Sequence, residues 1–196
     1  MIADLFEIKA KGIHEKGLFA TRFIPKGTIL IFPCKKCGTY SKGDLAKLPK
    51  KELEFVLHHE VMDEHGLMSK YCDKRLLYIN HSCNAHILET DKGFDIAVRD
   101  IKKGEEATED YRVFEEEGFH FVGGCKCGER NCMKNTAFRP PAPKKLQGIW
   151  ERRINAAVRL VGSVKQPLRT RLLREHPRLD YLFKNAKGLS RESNPD

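Results

Sequence analysis

Three cysteines fall within eight residues, in Cys125-Lys-Cys-Gly-Glu-Arg-Asn-Cys132. Thiolates are soft ligands, and Gly128 permits a tight turn that can bring three of them round one ion, so the chemistry this run offers is zinc binding. A tetrahedral site needs a fourth ligand, which must come from elsewhere in the chain. Two further runs combine residue types that could do chemistry together: Tyr78-Ile-Asn-His-Ser-Cys83 and Lys103-Gly-Glu-Glu-Ala-Thr-Glu-Asp-Tyr111. Between them they supply an amide, an imidazole, a thiol and a phenol. Asn80-His-Ser82 also fits a glycosylation acceptor, but the opening MIADLFEIKAKG has no apolar run of the kind a secretory peptide needs, and that match is set aside. Cys34-Lys-Lys-Cys37 and Cys72 form another set of thiols. A metal there would have to recruit a fourth ligand from His58, His59 or His65, and the plainer reading is partly buried thiols.

The segments that must position these groups are short. Residues 5–9, 17–22, 28–32, 86–89 and 94–99 carry β-branched or aromatic side chains between Gly, Pro, Asp and Lys turns, which predicts a sheet-rich body. Residues 41–57 hold good helix formers with Ser41 as a cap and a break at Pro49, so a helical insert is expected between the strand groups. Prolines 140, 141 and 143 mark a joint. Beyond it, Leu146, Ile149, Trp150, Ile154, Ala157, Val158 and Val161 recur at helical spacing and predict a helix over 146–162. A second helix should follow Pro167, its stripe carried by leucines 168, 172 and 173, and Leu179, Leu182 and Phe183 could add a last turn after Pro177. Too few heptads exist for a coiled coil, so these stripes are expected to pack on the body.

A chain of 196 residues with 40% hydrophobic content suits one domain with a small appendage. No apolar stretch approaches the roughly 20 residues of a spanning helix, so the expectation is a soluble chain without a membrane partner. Seven cysteines cannot all pair within one chain, and without a secretory signal they read as reduced thiols or metal ligands in an intracellular protein. The net charge of +9 is concentrated in the tail, where residues 144–191 hold 13 Lys+Arg against 3 Asp+Glu. Such a block suits an anionic partner, either nucleic acid or an acidic surface, although solvated helix faces are often basic too.

In order and wording, the three chemical runs resemble the SET-domain family of protein lysine methyltransferases. Lys11-Gly-Ile-His-Glu-Lys-Gly-Leu-Phe-Ala20 is similar to that family's opening motif, and Ile24-Pro-Lys-Gly-Thr-Ile29 to the stretch after it, so the likeness covers roughly residues 5–137. It implies a mostly β fold of small sheets round a pseudoknot, with the Tyr111 segment passing beneath the loop before Asn80. The implied division is a SET domain over 1–118 with a helical insert at about 40–77, a post-SET zinc loop over 119–138, a Pro-rich joint over 139–145 and a basic helical extension over 146–196. No cysteine-rich pre-SET block is evident before residue 5.

The resemblance also implies roles. The donor, S-adenosylmethionine, would be held by the backbone of Lys16, Gly17 and Leu18, where glycine at 17 permits close approach, and by Asn80 and His81. Tyr111 would position the reacting amine, and Tyr78 would line the lysine channel. Cys83 would join Cys125, Cys127 and Cys132 round one structural zinc ion. Two residues depart from the family pattern: Glu109, which could hold the substrate ammonium or point outward to leave a wider channel, and Leu77, where an arginine is common. The activity implied is methyl transfer to a lysine of a basic protein, a histone or DNA-packaging protein for example, laid as an added strand between the insert and the post-SET loop. Glu105, Glu106 and the run Glu115-Glu-Glu117 could attract such a substrate. The alternatives are a SET-like chromatin or nucleic-acid-binding module with weak or no catalysis, using its basic tail, and a zinc-stabilised scaffold. The cell location implied is cytoplasmic, or nuclear in a eukaryotic setting.

Overall fold

The computed structural model of the chain describes residues 1–59, 68–113, 119–120, 124–134, 137–139 and 141–184. His65, the acidic run 115–117, the last twelve residues of the extension and the side chains of His58 and His59 lie outside that description. The strands foreseen from composition are present, each shortened by one to three residues: β1 (Phe6–Lys9), β2 (Gly17–Ala20), β3 (Ile29–Ile31), β7 (Ile87–Glu89) and β8 (Asp95–Ala97). To these the chain adds β4 (Gly38–Tyr40), β5 (Met68–Lys70), β6 (Asn80–His81), β9 (Glu106–Glu109), β10 (Phe119–His120) and β11 (Ala137–Phe138).

Among the described residues, seven strands form one sheet in the order β1-β2-β9-β7-β8-β3, with β6 joining beside β9. Two small sheets, β4-β5 and β10-β11, stand apart from it. Most pairs are antiparallel, as in the β1–β2 hairpin that sets Lys9 opposite Gly17. The exceptions are β6 and β7, which both run parallel to the end of β9, and this convergence of distant segments is what positions the site. The fold is the mostly β architecture with accessory helices expected of a SET domain.

The insert contains more than helices. Ser41 caps α1 (Lys42–Leu45) in a full capping box with Asp44, and α2 (Lys50–His59) restarts after Pro49. The β4–β5 pair closes its base, setting Gly38 opposite Lys70 and Tyr40 opposite Met68. Gly38, Ser69 and Lys70 make up half of these six residues, leaving no run of β-branched or aromatic side chains to mark the two strands in the sequence. Tyr40 and Val56, with Leu45 and Leu48 against them, form a small core separate from the main one.

Helix α3 (Lys144–Val158) begins directly after Pro143, two residues before the predicted start, and residues 161–163 form a 3-10 turn rather than its last coil. Helices α4 (Arg169–Glu175) and α5 (Tyr181–Lys184) follow. Trp150, Val158, Val161, Leu172 and Leu182 enter the same core as Ile29, Leu30, Phe94 and Ile96, so the stripes pack on the body as their spacing predicts. Each such side chain contributes about 1.5–3 kcal/mol on burial. The approach is close at Gly27 (φ +92°), where a Cβ would lie 2.7 Å from Leu160 Cβ and 3.0 Å from the Ala157 carbonyl. Gln166 stitches the contact, donating to the Gly27 and Val161 carbonyls and accepting from Ile29 N–H at 2.9 Å. The extension therefore occupies a backbone donor of β3, the terminal strand of the sheet. No helix among the described residues is long and apolar enough to cross a membrane.

Candidate active site and metal centre

The loop joining β1 to β2 is held open by a carboxylate. Glu106, on β9, accepts Ile13 N–H at 2.9 Å on Oε2 and Asn80 Nδ2 at 2.6 Å on Oε1. Asn80 Nδ2 also donates to the Lys16 carbonyl at 2.9 Å, which commits its amide hydrogens and leaves Oδ1 to accept from a ligand. The loop can sit this close only because of two glycines. A Cβ on Gly12 would lie 2.6 Å from Gly17 N, 2.7 Å from the Lys16 carbonyl carbon and 2.8 Å from Asn80 Nδ2, and one on Gly17 would strike the Glu106 carboxylate. Lys16, Gly17 and Asn80 are thus brought together, while the side chain of Leu18 is wholly buried and only its backbone could meet a ligand. Lys16 Nζ lies 5.8 Å from the ring centre of Tyr78, so that tyrosine borders the same loop.

Glu105 and Glu106, read from sequence as attractors for a basic partner, are committed internally. Glu105 accepts from Lys102 N–H at 2.8 Å and pairs with Arg99 at 3.1 Å, with the buried His86 ring 3.0 Å away. Backbone donors and neighbouring polar side chains engage both carboxylates.

A second constellation lies where β6 meets the end of β9. Parallel pairing sets Asn80 opposite Thr108 and His81 opposite Glu109, and Ser82 N–H donates to the Glu109 carbonyl at 2.9 Å. The chain then turns at Tyr111 beneath Ile79. The Tyr111 hydroxyl donates to the Ile79 carbonyl at 2.5 Å, and Tyr111 N–H donates to His81 Nδ1 at 3.2 Å. Burial pushes His81 down to about 4, so the ring is neutral. With Nδ1 accepting, the proton sits on Nε2, which faces Cys83 Sγ at 3.4 Å. The 3.8 Å approach of His81 to Asp110 is accordingly no ion pair. Asp110 is buried and accepts instead from Arg112 Nε at 2.7 Å and Nη2 at 2.6 Å, and from Trp150 Nε1 at 3.0 Å. Helix α3 therefore buttresses the residue next to Tyr111. The sequence reading placed Trp150 only in an apolar stripe; the available signal was that a buried indole N–H needs an acceptor.

The thiols of Cys83, Cys125, Cys127 and Cys132 all lie within 4.8 Å of one another. Sulfurs bound at about 2.3 Å in a tetrahedral zinc site stand ~3.8 Å apart, so the four residues fit that ion. Backbone N–H groups already point at two of them, Met133 to Cys83 at 3.4 Å and Lys134 to Cys132 at 3.3 Å. Gly128 makes the left-handed turn (φ +71°) between them, and Asn84 Nδ2 donates to Glu129 Oε2 at 3.2 Å, tying this loop to the crossing. Burial pushes the Cys83 thiol up to about 11, so a bound cation would displace its proton.

The sequence profile of the SET domain matches residues 15–112, half of the chain. The chain belongs to the SET domain family. It is 30% identical over 133 residues to Histone-lysine N-methyltransferase 2D of Homo sapiens and to the protein of the same name in Mus musculus. That alignment covers 62% of this chain but 2% of either relative, so the chain spans a small part of their length. The methyltransferase domain of human Histone-lysine N-methyltransferase SETMAR superposes with a TM-score of 0.43 at 18% identity, covering 68% of this chain and 58% of that one.

Within this SET domain the two departures from the family pattern acquire positions. Leu77 is buried in the 3-10 turn of residues 74–78. Glu109 does not point outward: its Oε1 is buried and has no hydrogen-bond partner among the described residues. Burial, with Glu89 nearby, pushes this carboxyl up to about 8. Asp95, opposite Glu89 across β7 and β8, is raised by its own burial and by Glu109 and Glu89. A carboxyl that holds its proton near neutral pH is a poor anchor for an ammonium.

Proposed function

We propose that the chain is a protein-lysine N-methyltransferase, transferring a methyl group from S-adenosylmethionine to a lysine of a basic protein such as a histone or DNA-packaging protein. One observation carries the reading: the Tyr111 hydroxyl is held on the Ile79 carbonyl, one residue from an Asn80 that is itself locked to the Lys16 loop. The similarity to histone-lysine methyltransferases supports it. On this reading the SET domain covers 1–118, the zinc loop 119–138, and a joint at 139–145 leads to the basic extension. The seven free thiols suit a reducing intracellular compartment.

The donor supplies a methyl group on a sulfonium. Lys16, Gly17 and Leu18 would hold it through their backbone, with Asn80 Oδ1 and the His81 backbone beside them. A lysine side chain begins near pKa 10.4 and must lose a proton to become a nucleophile. Desolvation in a narrow passage and a nearby positive charge both disfavour the ammonium, so no strong base is required. Tyr111 O–H donates its hydrogen bond to the Ile79 carbonyl, which leaves the phenol oxygen to accept from an incoming N–H. The phenol thus aims the amine, and alignment supplies much of the rate. Tyr78 borders the passage at the Lys16 end. Cys83, Cys125, Cys127 and Cys132 would hold a zinc ion through four thiolates, leaving no position for a substrate, so its part would be to fix the loop beside the crossing.

Incubating the full chain with labelled S-adenosylmethionine and a panel of basic proteins tests the proposal. Label on lysine, detected by mass spectrometry, is expected. Absence of label and of donor binding, together with strong salt-sensitive DNA binding, would replace the enzyme with a nucleic-acid-binding module.

A further inference from the structure

The insert leaves and rejoins the body through a narrow neck. Cys37 immediately precedes β4, Cys72 lies two residues after β5, and Cys34 follows β3 at the edge of the main core. Their sulfurs form a nearly equilateral triangle, with Cys34 and Cys37 at 3.6 Å, Cys34 and Cys72 at 3.3 Å, and Cys37 and Cys72 at 3.4 Å. None is bonded to another. Three thiols cannot all pair as disulfides, and plain packing gives no reason for three loop cysteines from two distant segments to meet at one point.

The legs of the triangle are held independently of any ion. Cys37 N–H donates to the Cys34 carbonyl at 2.8 Å, closing the Cys34–Cys37 turn. The residues beside Cys34 are pinned by the extension, where Lys35 N–H donates to Glu175 Oε2 at 2.9 Å and His176 Nε2 lies 3.1 Å from the Pro33 carbonyl. The chain after Cys72 is pinned by Arg75, whose guanidinium pairs with Asp73 at 2.8 Å and with Asp4 at 3.0 Å. Ligands preset in this way lose less conformational freedom on binding a metal.

We propose that Cys34, Cys37 and Cys72 form a second zinc site, which staples the neck of the insert to the body. Zinc–sulfur bonds of about 2.3 Å need sulfurs ~3.8 Å apart, so the observed triangle opens by only a few tenths of an ångström on binding. No fourth His, Cys, Asp or Glu joins the triangle among the described residues. Cys34 is buried and Cys72 exposed, so a fourth ligand, water or another donor, would approach from the Cys72 side. Four thiols are gathered beside Tyr111 and three here, so a chelator should strip this site first.

The test is metal content of the full chain, independent of any methyl transfer. The unmodified protein should carry about two equivalents of zinc, Cys72→Ser about one, and Cys127→Ser about one. Cobalt(II) replacement in Cys127→Ser should still show thiolate charge-transfer bands and tetrahedral d–d absorption. A zinc content unchanged in Cys72→Ser would overturn the proposal. Should that variant fail to fold, thiol titration of the native protein decides: protection of Cys34, Cys37 and Cys72 until chelator is added supports the site. Immediate reaction of all three, or a disulfide between any two, removes it.

Discussion

The crossing round Tyr111 and the insert round Val56 are held by opposite means. Tyr111 is fixed by its hydroxyl on Ile79, by its N–H on His81 and by the neighbouring Asp110, which is gripped by Arg112 and by Trp150 from helix α3. Segments distant in sequence all converge on it, and none of these contacts alone sets its position. The insert rests on two three-residue strands and a core of Tyr40 and Val56 with two leucines against them. On the proposed function the crossing holds atoms in line for reaction and its constraints are redundant, whereas the described residues of the insert show fewer.

Perturbations of each region should differ in kind. At the donor loop, Gly12→Val forces apart Gly17, Lys16 and Asn80, and S-adenosylmethionine affinity measured by calorimetry should fall by at least about tenfold, with strain of about 1–3 kcal/mol in unfolding. Next is Trp150→Phe, which strips a buried carboxylate of one donor. A loss of about 1–3 kcal/mol in denaturant unfolding is expected, together with slower turnover, because Asp110 adjoins Tyr111. Smaller still is Val56→Ala, worth about 1–2 kcal/mol. If the insert is a separate unit, hydrogen exchange should accelerate within residues 38–59 while the crossing stays protected; equal acceleration in both would merge the two regions.

A change of another kind is expected in pH dependence. Glu109 rises from its ordinary 4.5 to about 8 in the folded chain, so between those values the native state keeps a proton that the unfolded state has shed. Its contribution to stability is therefore undiminished below about pH 4.5, falls as pH rises, and is lost above about 8. Glu109→Gln should flatten that part of the unfolding profile. A residual slope would be assigned to Glu89 and Asp95, which are raised in the same direction.

What the sequence disclosed and what it concealed divide along the same line. Ser41 with Asp44, the break at Pro49, the apolar stripe from Trp150 to Val161 and the Cys125–Cys132 run are local patterns, and each has a physical signature within a few residues. Glu106 clasping Ile13 and Asn80, Trp150 reaching Asp110, and Cys72 joining Cys34 and Cys37 are meetings of residues far apart in the chain. No periodicity encodes such pairs; they follow from the parallel approach of β6 and β7 to β9 and from the packing of α3. Resemblance to a family pointed to Asn80, His81 and Tyr111 and to the passage of the Tyr111 segment beneath the loop before Asn80, but gave no sign of the contacts made by Glu106 and Trp150.

The central claim is that the Tyr111 hydroxyl aims the amine while taking no part in holding the donor. Tyr111→Phe keeps the ring and removes only the group that reaches Ile79, so turnover and donor affinity should be measured on the same preparation, with folding checked by circular dichroism. The account predicts turnover on the best protein substrate reduced about 100-fold or more, with donor affinity unchanged within about threefold. Full turnover in a folded variant, or loss of donor binding in step with turnover, would contradict it.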